Sequence, residues 1–86
     1  MTARGLNMEI LPGYTRYPNR SGRSGVVAFK FVRSGIQIQF VSGPPYEYSA
    51  GLSGADHVEA MRQRAEQGRG LATYINQHHP RYRKLG

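Results

Sequence analysis

The chain has 86 residues, enough for one domain and too few for two, with 38% apolar residues and no cysteine. Twelve Lys and Arg stand against five Asp and Glu, a net charge of +7. These figures exclude a disulfide framework, thiolate metal sites and cysteine nucleophiles, and no apolar run approaches the roughly 18 residues of a membrane span.

Residues 1–25 read as an irregular basic segment, rich in Gly, Pro, Asn and Arg, ahead of a single α+β domain over 26–86. Within the segment, Leu6, Met8 and Ile10 alternate with Asn7 and Glu9, the period of a strand. Pro12-Gly13 marks a turn, and Tyr14-Thr15-Arg16-Tyr17 extends briefly before Pro18. Asn19 to Gly25 holds no apolar residue and is expected to be an exposed, mobile loop.

Val26 to Arg33 is dense in β-branched and aromatic residues, as a strand requires. Strict alternation puts Val27, Phe29 and Phe31 on one face and Val26, Ala28, Lys30 and Val32 on the other. Arg33-Ser34-Gly35 is a short turn, with Gly35 the residue suited to a positive φ. Ile36, Ile38 and Phe40 alternate with Gln37 and Gln39, so Phe40 is expected in the core with the two isoleucines. After Ser42-Gly43-Pro44-Pro45, Tyr46 and Tyr48 share a face with Glu47 between them, and both are expected in the core.

The period then changes from two to 3.6. Ser53 and Asp56 have the spacing of an N-terminal capping box. Ala55, Val58, Met61 and Ala65 form a narrow apolar stripe, and Gly68 is a natural stop. A second short helix runs from about Gly70 to His78, with Leu71, Tyr74, Ile75 and His78 as its stripe, and Pro80 ends it. An apolar sheet face needs a cover, and the two helices supply it. The expected fold is α+β: an antiparallel β-meander of three or four strands followed by two short helices packed on one face, with Leu6–Ile10 as the fourth, edge strand.

The succession Gly35-Ile36-Gln37-Ile38-Gln39-Phe40, Gly43, Tyr46-Glu47-Tyr48, Gly68-Arg69-Gly70-Leu71-Ala72-Thr73-Tyr74-Ile75-Asn76 and Arg81-Tyr82 resembles the small bacterial and phage proteins related to the KTSC domain. That domain is named for its occurrence at the C-terminus of lysyl-tRNA synthetases. The resemblance spans residues 24–84. It implies a compact α+β fold and association with RNA or another nucleic acid, and it carries over no catalytic residue. Gln77-His78-His79-Pro80 departs from the family pattern, and residues 1–23 have no counterpart in it.

The charge is the main functional signal. Ten of the twelve bases are arginine, whose planar fork suits phosphate and carboxylate and stacks on bases. Arg-Ser-Gly occurs at 20–22, 23–25 and 33–35, and glycine turns of this kind form anion-binding nests. Arg20 and Arg23 are therefore candidate phosphate contacts, whereas Arg33 reads as hairpin-turn chemistry. Arg81, Tyr82, Arg83 and Lys84 interleave charge with a ring, the composition of a single-stranded nucleic-acid contact. Arg69, in the glycine turn at the start of the second helix, is another candidate, with Arg62 and Arg64 able to extend the patch. Arg16 lies between Tyr14 and Tyr17, which are the tyrosines expected to be free for binding.

No catalytic, cofactor or metal residue is assigned. The adjacent His78 and His79 cannot face one ion from a helix, and His57 has no partner four residues on. No Gly-x-Ser-x-Gly elbow or P-loop is present. The expectation is a cytoplasmic, non-catalytic module that binds nucleic acid or another polyanion through an arginine-rich surface. The alternative is a protein-interaction or nucleotide-messenger-sequestering protein, of the kind a phage directs against host defence, with an acidic protein as partner. A homodimer would complete a core that is thin for its length.

Overall fold

The computed structural model of the protein describes residues 9–18 and 24–86. Strands β1 (Thr15–Arg16), β2 (Val26–Val32), β3 (Gly35–Phe40) and β4 (Tyr46–Ser49) come first. Helices α1 (Ala50–Ser53), α2 (Ala55–Gln67) and α3 (Leu71–His78) follow, and then strand β5 (Arg83–Lys84). All five strands form one antiparallel sheet in the order β1-β2-β3-β4-β5. The α+β meander with helices after the strands is therefore present, and its edges lie elsewhere than expected. Of the segment 6–10, only Glu9 and Ile10 fall within the described residues, and neither is in a strand. One edge is Thr15–Arg16 and the other is Arg83–Lys84. Among the described residues, no helix is long and apolar enough to cross a membrane.

The register sorts the side chains into two faces. Phe29 pairs with Ile38, and Ile38 with Tyr46; Phe31 pairs with Ile36, and Ile36 with Tyr48. Most of this face lies under Met61 and Ala65 of α2 and Leu71 of α3, which form one buried cluster with it. Ile36, Ile38, Met61 and Leu71 are fully buried. Phe31 stays exposed at the hairpin end, and Phe40 is only partly buried at the other end of β3.

Strict alternation fails at the start of β2. The register shifts between Val26 and Ala28, so Val26 pairs with Phe40 and joins Phe29 in the core while Val27 is turned away from it. A bulge adds one residue to one strand and reverses the face of everything before it. That corrects the face assignment made from periodicity alone.

Tyr17, expected to be free for binding, is 3% exposed and belongs to the core. Its backbone N–H donates to Val27 O at 2.9 Å, and its hydroxyl accepts from the Leu71 N–H at 3.3 Å. It thus ties the N-terminal segment to the start of α3. The other hook is Gln39, the buried polar residue of the sheet. Its Oε1 accepts from Leu11 N at 3.0 Å, and its Nε2 donates to Glu9 O at 2.6 Å. Both ends of the amide are satisfied, as burial requires.

The β2–β3 turn also departs from the sequence reading. The positive φ falls on Ser34, at 64°, and not on Gly35. Gly35 is needed for a different reason: a Cβ there would collide with the backbone oxygen of Tyr48 and lie 3.1 Å from Ser49 Cα. Arg62 of α2 clamps this turn. Its Nη2 donates to Val32 O at 2.7 Å and to Gly35 O at 3.0 Å, and its guanidinium lies 5.0 Å from the centre of the Phe31 ring.

The expected capping box is absent. Ser49 caps α1, its side chain accepting from Leu52 N, while Gly54 at φ 103° separates α1 from α2. Ser53 is left to donate from its hydroxyl to Arg81 O at 2.5 Å. Of the expected stripe, Val58, Met61 and Ala65 are buried while Ala55, at the first turn, is exposed; Gly68 ends α2 in the left-handed conformation.

Two stability measurements check this account. Ile38→Ala should cost about 2–5 kcal/mol in urea unfolding, and Phe40→Ala should cost distinctly less because that ring is only half-buried. Gly35→Ala should destabilise the protein, whereas Gly25→Ala, where a Cβ meets nothing within 4 Å, should leave the midpoint within about 0.5 kcal/mol of the parent.

Candidate functional site

The strand β5 is short because it pairs only with the first half of β4, Lys84 opposite Tyr46 and Arg83 opposite Glu47. Leu85 N donates to Pro45 O at 2.9 Å and extends the attachment by one residue. Alternation along β5 then divides the basic cluster that the sequence presents as one group. Lys84 falls on the helix-side face with Tyr46, and Arg83 falls on the opposite face with Glu47.

On that opposite face, Lys30, Gln37, Glu47 and Arg83 form a transverse row across four strands. Gln37 Nε2 donates to Glu47 Oε1 at 2.8 Å, Arg83 Nη2 to Glu47 Oε2 at 3.1 Å, and the Tyr14 hydroxyl to Gln37 Oε1 at 2.8 Å. Tyr14 is thus engaged by the sheet, contrary to the expectation that it is free. Burial and then the Glu47 charge push its hydroxyl pKa up. The Arg83 side chain is 67% exposed, so its ion pair contributes at most about 1 kcal/mol.

On the helix-side face, Tyr82 stacks on Tyr46 with ring centres 4.2 Å apart and planes within 1°. Phe40 meets Tyr46 edge-on at 5.1 Å, and Tyr48 lies 5.8 Å from Tyr82. These four rings wall a groove of about 300 Å³ whose other side is the C-terminal end of α3, with Ile75, Asn76, His79 and Pro80. Ser42 lies at its β3–β4 end. Tyr82 is 44% exposed, so the ring is neither docked in the core nor free in solution. Helix α3 ends here because His79 takes a left-handed conformation at φ 48°, directly before Pro80.

The remaining sequence candidates do not converge on this groove. Arg16 is exposed on β1, at the far edge of the sheet, four strand spacings or roughly 19 Å from β5. Arg20 and Arg23 lie outside the described residues. Arg69 is exposed in the α2–α3 turn, but the first amide of α3 is already capped by Tyr17. Arg62 is committed to the β2–β3 turn, so it does not extend an anion-binding patch. Arg64 is likewise engaged, with Nη1 donating to Ala60 O at 3.0 Å and the guanidinium 4.6 Å from the centre of the Tyr74 ring. Arg81 and Lys84 are exposed beside Tyr82 in sequence. Sequence reasoning missed Phe40, Ser42, Asn76, His79 and Pro80 as groove residues. Their one local signal was the clustering of turn residues at 42–45 and 79–80, which says nothing of their proximity.

His57 Nδ1 lies 2.6 Å from the Tyr74 hydroxyl, and the His78 ring stacks on Tyr74 at 4.1 Å. This cluster joins α2 to α3 and so fixes the helix that carries one wall of the groove. Among the described residues, no group of three or more His, Cys, Asp or Glu side chains is arranged to hold a metal ion.

Burial, then the neighbouring Tyr46 and Tyr82, raise the Tyr48 pKa well above that of an ordinary tyrosine. A raised folded-state pKa stabilises the protein below the unfolded value of about 10, and the contribution is lost as pH rises beyond it. The thermal midpoint should therefore be flat from about pH 8 to 9.5 and fall above about pH 10, and Tyr48→Phe should flatten that alkaline slope.

In the comparisons with known proteins, no family model, no curated protein and no solved structure matches the chain.

Proposed function

We propose that the protein is a non-catalytic, cytoplasmic binding module for nucleic acid, either RNA or single-stranded DNA. The observation that carries this reading is the groove walled by Phe40, Tyr46, Tyr48 and Tyr82, on the same sheet face as Lys84. A single strand offers unstacked bases and a polyanionic backbone, and its binders combine aromatic faces with cations. Tyr82 offers a half-exposed ring to a base, while Lys84 and Arg81 neutralise phosphates. Arg16 and Arg69 do not line the groove. They contribute to the positive field that draws a strand toward the surface. The resemblance to KTSC-domain proteins points in the same direction. Among the described residues, no carboxylate lines the groove.

The alternative, sequestration of a free nucleotide messenger, is favoured by one feature: a groove of about 300 Å³ is at the lower end of small-ligand sites.

Fluorescence anisotropy with a labelled single-stranded oligonucleotide tests the reading. With the two phosphate contacts of Arg81 and Lys84, affinity should fall roughly sevenfold between about 50 and 200 mM salt. Arg81→Ala with Lys84→Ala should lower the slope of log affinity against log salt by about 1.4. Tyr82→Ala should weaken binding by about 1–3 kcal/mol and leave that slope unchanged. Affinity that stays constant over this salt range would rule the proposal out.

A further inference from the structure

The groove carries more than an aromatic wall. The side chains of Ser42, Asn76 and His79 line it, and none makes a hydrogen bond to another described residue. Tyr48 also lines it, 1% exposed, and its hydroxyl has no hydrogen-bond partner among the described residues. Ser42, Asn76 and His79 are exposed, whereas buried polar groups are nearly always satisfied, so it is the unspent Tyr48 hydroxyl beside the apolar rings that marks a ligand site. Asn76 offers both a carbonyl acceptor and an amide donor, the pair that matches the edge of a nucleobase.

The geometry limits how the ring of a ligand can enter. Tyr46 and Tyr82 are already stacked on each other at 4.2 Å, so no base fits between them. A flat ligand would instead lie along the wall of Phe40, Tyr46 and Tyr82, its edge toward Asn76 near the end of α3. A volume of about 300 Å³ admits one such unit and not a stack of several. Lys84 shares that sheet face through its pairing with Tyr46 but does not line the groove itself.

We propose that the groove takes one nucleoside monophosphate unit, with the base on the aromatic wall, its edge read by Asn76 and its phosphate at Lys84. This rests on the nucleic-acid reading and deepens it, because the unit can be one nucleotide of a strand or a free nucleotide.

Amide NMR spectra of the intact chain, titrated separately with adenosine monophosphate, inorganic phosphate and a single-stranded octanucleotide, test it. Adenosine monophosphate should move the Asn76, His79 and Tyr82 signals with 1:1 saturation, and inorganic phosphate should not. Asn76→Ala, at an exposed position that does not threaten folding, should weaken that binding about tenfold. An octanucleotide that displaces the mononucleotide at tenfold lower concentration identifies a strand as the source; one that binds no tighter identifies the free nucleotide. If the mononucleotide and phosphate move the same signals, or the octanucleotide binds while the groove signals stay still, the groove proposal is overturned and the polyanion reading survives. If no ligand binds even at low salt, both fall.

Discussion

The row Phe29–Ile38–Tyr46, held beneath α2 and α3, is the constraint on which the rest of the molecule depends. Side chains alternate along a strand, so burying one row leaves no freedom in where its neighbours point. It places Tyr48 with Ile36 in the core, Lys84 on the groove side of β5 and Arg83 on the other side. A slip of one residue in β5 would exchange Lys84 with Arg83 and put Tyr82 on the wrong face. The attachment of Leu85 to Pro45 and the stacking of Tyr82 on Tyr46 both oppose such a slip.

The cations divide by what they touch. Arg62 fastens the β2–β3 turn to α2, with the Phe31 ring beneath it. Arg64 covers Tyr74 and so helps to hold α3. Arg83 pairs with Glu47, one of only five acids in the chain. Among the described residues, Arg16, Arg33, Arg69, Arg81 and Lys84 are also exposed, at the two sheet edges, the β2–β3 turn and the α2–α3 turn. In the binding reading proposed above, polar groups beside the rings would supply specificity and the charge long-range attraction.

Helix α3 links these two themes. One side is fixed to the fold by Leu71 in the core and by the contacts of Tyr74 with His57, His78 and Arg64. Its C-terminal end presents Ile75, Asn76 and His79 to the groove. The groove thus has the sheet as one wall and an anchored helix end as the other, an arrangement that would preorganise binding groups for the proposed ligand.

Much of this was legible in the sequence. The two-residue period from Val26 to Phe40 determined the central hairpin, and Tyr46-Glu47-Tyr48 its third strand. The 3.6-residue period of Val58, Met61 and Ala65 determined the covering helix, and Gly68 and Pro80 marked where helices stop. These signals are local: each is carried by residues within a turn or two of one another. What the sequence could not decide depends on contacts between distant residues. The bulge that moves Val26 into the core, the burial of Tyr17 against Leu71, the capture of Glu9 and Leu11 by Gln39, and the collision that demands Gly35 all arise only when strands and helices meet. The division of Arg81 to Lys84 between two faces belongs to the same class, because a run of bases in sequence becomes one surface only if the backbone beneath it is not a strand. Composition determined how much charge the protein carries, and strand register together with helix packing decided which of those charges stand beside an aromatic ring.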